Sequence, residues 1–185
     1  MPQIQYRFIG PTAKKLFPII RIVDRLGYRL ANCNADRIDT SKIRRLVVLQ
    51  SSGLGDLIMS MPFLAALKAH GRFEIELVVS DYVAPLARLF TPVSRVHTAD
   101  FSFLRKSTSP PTLRFAVQMA NVVGDAYFDA RGDLRIALLL RALKPWAIIL
   151  GSPNGGGGFL YNRIYPHDPS QHWSELHRMF IGDMG

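Results

Sequence analysis

The sequence contains a single cysteine, Cys33, in 185 residues, so it can form no internal disulfide and must draw its stability from a packed core. Such sparse use fits a reducing compartment, and Cys33 reads as structural or incidental. Long apolar runs are also missing. The most apolar stretch, Leu46 to Leu67, is broken by Gln50, Ser51, Ser52 and Asp56, and it falls short of the about 18 uncharged residues that mark a spanning helix. The N-terminus lacks the basic start, apolar centre and small-residue cleavage site of a secretory signal, because Pro11, Lys14 and Lys15 interrupt the pattern. The expected location is the cytoplasm. Acidic residues are scarce where basic ones gather: up to Arg45, ten Lys or Arg stand against three Asp, so +7 of the net charge of +9 lies in the first quarter. That asymmetry implies an anionic neighbour, with a phospholipid surface, a phosphorylated glycolipid and nucleic acid all eligible.

What is present is globular. Hydrophobic residues make up 48% and charged residues 20%, and the length suits one buried domain. From Leu16 to Leu30 the apolar positions Leu16, Ile19, Ile20, Val23, Leu26 and Leu30 recur at helical spacing, which predicts a basic amphipathic helix with Pro18 near its first turn. The polar segment from Asn32 to Lys42 reads as a connector, so residues 1–42 are set apart from a domain over 43–185. In that domain Leu46–Leu49, Glu74–Val79, Arg95–Thr98, Ala126–Phe128 and Trp146–Leu150 read as strands. Helices are expected at Leu57–Ala69, Tyr82–Phe90, Thr112–Val122, Leu134–Leu143 and Ser170–Ile181, and a polar loop at Asp100–Pro111. Strands alternating with helices predict an α/β fold, a Rossmann-like doubly wound parallel sheet, with ligands beyond the carboxyl ends of the strands.

The loops after Gln50 and after Asp129 are therefore where chemistry is expected. Ser51 to Asp56 joins a buried strand to a helix, and Gly53 and Gly55 would let the backbone turn tightly and approach a ligand. It is neither the Gly-x-Gly-x-x-Gly dinucleotide fingerprint nor a nucleotide-triphosphate loop. Asp56 has two open readings, a cap that favours the positive end of the helix and a general base within reach of a substrate hydroxyl. In the segment Asp129 to Arg135, Arg131 and Arg135 suit phosphate or carboxylate groups, or else form a solvated turn. Tyr161, Asn162 and Arg163 follow the glycine tract Gly155–Gly158. His167, His172 and His177 are spaced by five and five, which matches no zinc signature, so they are read as surface or substrate-contacting residues and no metal or cofactor is expected.

The order of these motifs carries a resemblance. Arg44 to Asp56, followed by Met61-Pro62-Phe63-Leu64-Ala65-Ala66-Leu67-Lys68, resembles the opening of glycosyltransferase family 9, the heptosyltransferases of lipopolysaccharide core assembly. Tyr127 to Arg135, Tyr161-Asn162-Arg163 and Gln171 to Arg178 are similar to later segments of that family, so the resemblance spans about Lys42 to Gly185. It implies the N-terminal half of a GT-B fold, in which one Rossmann-like domain receives the acceptor and a second binds the nucleotide-activated sugar. It implies that Asp56 is the catalytic base of an inverting, metal-independent transfer from an ADP-heptose-like donor to a glycolipid or oligosaccharide acceptor. Ser52, Gly53, Gly55, Asp129, Arg131, Arg135, Asn162 and Arg163 are then expected at the substrate, and Arg105 and Lys106 near acceptor phosphates.

The sequence departs from that family in a glycine-rich tract at Ser152–Gly158, in the extra N-terminal helix, and in ending where a donor-binding domain would begin. The donor domain is therefore expected to be absent, and the chain alone to turn over very slowly or not at all, since catalysis needs transition-state contacts to both substrates. The basic helix is matched to peripheral contact at the inner face of the cytoplasmic membrane, or to packing against protein. Nucleic acid is not expected as a partner, because the basic excess sits on one amphipathic segment rather than on a stripe with interleaved aromatics. The other readings are a non-catalytic basic module holding phosphorylated glycolipid and an unrelated Rossmann-like enzyme.

Overall fold

The computed structural model describes residues 11–30, 38–70, 72–89, 92–105, 109–165 and 173–184. Cys33, Lys106, His167 and His172 lie outside them. Six strands form one parallel sheet: β1 Arg45–Gln50, β2 Glu74–Val79, β3 Arg95–Thr98, β4 Ala126–Asp129, β5 Ile148–Gly151 and β6 Arg163–Ile164. Their order is β3-β2-β1-β4-β5-β6, with every neighbouring pair parallel. This is the Rossmann order, and it reverses between β1 and β4.

The apolar run of β1 is continuous because both of its faces are buried. Leu46 and Val48 enter one core layer with Leu57, Phe63, Leu64 and Leu67 of α2 (Leu54–Ala69), while Val47 and Leu49 enter the other. That second layer holds Phe115 and Met119 of α4 (Leu113–Ala120) and Ile136, Ala137 and Leu140 of α5 (Leu134–Leu143). The first layer is completed by α3 (Ala84–Arg88) and by α6 (Trp173–Met184), whose Phe180 lies 4.4 Å from the Phe128 ring. Each fully buried aliphatic or aromatic side chain contributes on the order of 1.5–3 kcal/mol, so the two layers together fix the sheet.

The doubly wound sheet expected from the sequence is thus present. Differences are local. The N-terminal helix α1 spans Pro11–Leu30, so Pro18 sits in its interior rather than its first turn; Pro11 holds the first position, where a missing N–H loses nothing. The loop before α4 contains a 3-10 turn at Ser102–Arg105. Strand β6 has two residues, too few to leave a periodic signal. Trp146 is 81% exposed and stands outside β5.

The two departures noted in the sequence, the extra helix and the glycine tract, meet in space. Asp24 of α1 is buried and accepts a hydrogen bond from the Gly157 N–H at 2.7 Å. Gly27 lies flat against Phe159, since a Cβ there would stand 2.4 Å from the ring, and Tyr28 meets the same ring edge-on. Gly157 itself has φ +78°, a conformation that favours glycine. The glycine tract is the seat of α1.

Candidate functional site

The reversal of strand order between β1 and β4 opens a crevice at their carboxyl ends, and the two loops that leave these strands line it. After β1, Ser51 is 8% exposed and its Oγ has no hydrogen-bond partner. A buried hydroxyl left unpaired is rare in native folds and marks a place where a ligand or water completes the bonding. Gly53 is the N-cap of α2, with φ −76° and no side-chain cap, and Leu54, Gly55 and Asp56 form the first turn. Neither Gly53 nor Gly55 adopts positive φ, so their contribution is open space rather than an unusual turn. A Cβ at Gly55 would meet nothing within 4 Å, and one at Gly53 would meet only the Tyr82 hydroxyl, at 3.6 Å.

Asp56 occupies the third position of α2, not the cap. Its carboxylate is exposed and makes no hydrogen bond or ion pair among the described residues. It sits in the first turn of α2, within the field of the helix N-terminus. Of the two roles read from sequence, side-chain capping is replaced by Gly53, while the electrostatic part of that role and the general-base role both fit this position.

The loop after β4 is built differently. Asp129 is fully buried and accepts from the N–H groups of Arg131, Gly132 and Asp133 and from the Tyr161 hydroxyl, at 2.9 to 3.1 Å. Both oxygens are saturated by donors, so this carboxylate holds the turn and has no lone pair to offer a substrate. Burial pushes its pKa up to about 6, and the hydrogen bond from Gly132 pulls against that, so it remains ionised at neutral pH. Gly132 makes the turn possible: φ is +71°, and a Cβ would stand 1.5 Å from the Ser152 carbonyl oxygen. Asp133 caps α5 by accepting from the Arg135 N–H.

Arg135 is likewise held inside the protein. Its guanidinium pairs with both oxygens of Asp133 and donates to the carbonyls of Phe103 and Ser109. It thereby ties down both sides of the segment that carries Arg105, which is exposed at the end of its 3-10 turn. Asn162 accepts from the Ile149 N–H and from Arg141, stitching β5 to the chain that enters β6. Arg163 is half-buried in β6. Arg131 differs from these: it is half-buried, and its guanidinium has no partner among the described residues. His177, read from sequence as a surface or substrate-contacting residue, is buried and stacks on Phe63 at 4.2 Å. Among the described residues no group of three His, Cys, Asp or Glu side chains comes together.

The crevice therefore presents Asp56, Ser51, Ser52, Gly53, Gly55 and Arg131, with Arg105 on an adjoining turn, whereas Asp129, Arg135 and Asn162 point their polar atoms into the fold. The hydroxyl of Ser51 carries no mark in the sequence, because nothing in the chain tells which hydroxyl will be buried without a partner.

By sequence the chain matches no protein-family model and no curated protein. By structure it matches the E. coli heptosyltransferase WaaC with ADP at 23% identity and a TM-score of 0.58, over 76% of this chain and 46% of that one. A glycosyl transferase of family 9 from Veillonella parvula aligns at 19% identity and a TM-score of 0.61, over 82% of this chain and 44% of that one. The chain shares its fold with the heptosyltransferases. The family 9 resemblance read in the motifs is thus borne out at the level of fold. The E. coli ADP-heptose lps heptosyltransferase II aligns more loosely, at 17% identity and a TM-score of 0.51, over 68% of this chain and 35% of that one. The chain spans less than half the length of each of these heptosyltransferase-fold structures.

Proposed function

We propose that this chain is the acceptor-side half of an inverting glycosyltransferase, one that moves heptose or a similar sugar from a nucleotide-sugar donor to a lipopolysaccharide-core or related glycan acceptor. The observation that carries this reading is the unpartnered carboxylate of Asp56 at the strand-order reversal of a heptosyltransferase-like fold. A general base must be open to a substrate hydroxyl and free of internal bonds, and the exposed, unpartnered carboxylate of Asp56 supports that role where the buried, four-fold bonded Asp129 does not. In the proposed reaction Asp56 takes the proton of an acceptor hydroxyl while that oxygen bonds to the anomeric carbon. The bond from this carbon to the nucleoside diphosphate breaks on the opposite face, and configuration inverts.

Ser51, Ser52 and the open backbone at Gly53 and Gly55 would hold acceptor hydroxyls, and Arg131 and Arg105 acceptor phosphates. Asp129, Arg135 and Asn162 act as positioning residues in this scheme, and Arg163 flanks it. Two of the neighbours were solved with ADP and with ADP-2-deoxy-2-fluoro heptose, which supports an ADP-heptose-like donor. Its contacts, and those that stabilise the leaving diphosphate, are assigned to a donor-binding domain in the part of the neighbours' fold that these residues do not span.

The test joins the chain to such a domain and measures sugar transfer from ADP-heptose. Asp56→Asn keeps the size of the side chain and removes the base, and kcat is expected to fall by about 10²–10⁴-fold with an unchanged melting temperature. Near-normal transfer by that variant sinks the assignment.

A second reading, a non-catalytic module for a phosphorylated ligand, is favoured by a groove of about 670 Å³ at the opposite, amino end of the strands. Arg44, Arg45, Lys68 and Arg72 line it together with Glu74 and Asp125. Phosphorylated-glycolipid binding that survives Asp56→Asn but is lost in Arg44→Gln with Lys68→Gln would favour this second reading.

A further inference from the structure

The seat of α1 on the glycine tract decides which of its faces is used up. Asp24, Gly27 and Tyr28 turn inward, and Phe17 and Ile20 are partly covered beside them. The other apolar stripe faces out: Ile19 is 58% exposed, Ile22 59%, Val23 41% and Leu26 51%. These four recur at i, i+3, i+4 and i+7, a continuous stripe along about two turns. Scattered exposed aliphatics need no explanation, but a contiguous row on a docked helix does.

The charges around the stripe say what fits it. Arg21, Arg25 and Arg29 are exposed and follow at four-residue intervals along one border, and Lys15 is exposed near the start of the helix. The only acidic residue of the helix, Asp24, is buried against Gly157. An apolar stripe edged by cations with no exposed acid is complementary to a surface that is apolar within and anionic at its boundary. Among the described residues no helix is long and apolar enough to cross a membrane, so the geometry is that of a helix lying in the interface plane.

We propose that α1 is a docking face for an anionic lipid bilayer, its aliphatic stripe entering the headgroup boundary and its arginines meeting the lipid phosphates. The inference goes beyond the transferase reading and does not depend on it, because vesicle binding is measured without any sugar transfer.

The experiment is co-sedimentation of the 185-residue chain with vesicles of phosphatidylcholine alone and of phosphatidylcholine with about one-third phosphatidylglycerol, at low and high salt. The expected result is binding to the anionic vesicles, weakened by salt. Ile22→Asp with Leu26→Asp changes exposed positions only, so the melting temperature is expected to hold while vesicle affinity falls at least about tenfold. Arg21→Gln, Arg25→Gln and Arg29→Gln together are expected to lower it on the order of a hundredfold on anionic vesicles. The proposal is overturned if the wild-type chain stays in the supernatant with anionic vesicles, or if the stripe variant binds as the wild type does. It is equally overturned, in favour of a second copy, if the chain ignores vesicles and elutes as a dimer that Leu26→Asp converts to a monomer.

Discussion

The carboxylate of Asp129 receives four donors and no solvent, and its titration near pH 6 makes it a reporter on the loop it holds. Its pKa is raised by burial, so between the ordinary value of 3.8 and about 6 the folded state keeps a proton that the unfolded chain has lost. Its contribution to stability is therefore full below 3.8, falls as pH rises to about 6, and is level above. Tyr161→Phe removes a donor that favours the ionised form. The variant is expected to lose about 1.5–3 kcal/mol at pH 7, where an ionised oxygen is left short of a partner, and less at pH 4, where Asp129 is neutral. Urea unfolding of both proteins at the two pH values measures this, and a gap that does not change with pH contradicts it. At this scale the sequence was informative about residue type and uninformative about direction. It placed Asp56, Asp129, Arg131 and Arg135 where β1 and β4 pass into the helices that follow them, but a carboxylate that holds a turn and one that faces a ligand have the same one-letter code. What separates them is Gly132 at positive φ and the hydroxyl of Tyr161, both set by contacts 20 or more residues apart in the chain, to Ser152 and to Asp129.

At the scale of elements, α1 and the glycine tract form one unit although 133 residues separate Asp24 from Gly157. The periodicity of α1 was legible, and so was the oddness of the tract; their pairing was not, because nothing local links a buried Asp to a distant backbone N–H. Gly27→Val places methyl groups where Phe159 already stands, and Asp24→Ala leaves the Gly157 N–H buried without its acceptor, a loss of about 1–3 kcal/mol. Either variant is expected to release α1 while leaving the sheet intact, so hydrogen exchange should accelerate across residues 15–29 and stay slow in β1, β2 and β4. Unchanged protection of α1 in Gly27→Val would show that the contact with Phe159 is not what seats the helix. The short elements illustrate the opposite limit: β6 is paired only through Leu150 to Arg163 and Gly151 to Ile164, so it exists by virtue of its neighbour rather than of its own pattern.

For the molecule as a whole, β1, β2, β4 and β5 were readable because both faces of each are largely buried, which turns them into compact apolar runs, whereas the edge strand β3 is exposed or half-buried throughout. Their order was not readable from pattern; it is fixed by the pairing of β1 with both β2 and β4. That central position has an energetic consequence. Alternate residues of β1 belong to opposite layers, so neither layer can come apart without exposing the back of the other. Phe128 lies in one layer and Phe115 in the other, both fully buried. Phe128→Ala and Phe115→Ala should each destabilise the domain by about 3–5 kcal/mol. Because the layers share the sheet, both variants should still unfold in a single transition, with fluorescence and far-ultraviolet circular dichroism coinciding. Two separated transitions in either variant would mean that the layers are independent, and the crevice between β1 and β4 would then lack the rigid floor that a fixed general base requires.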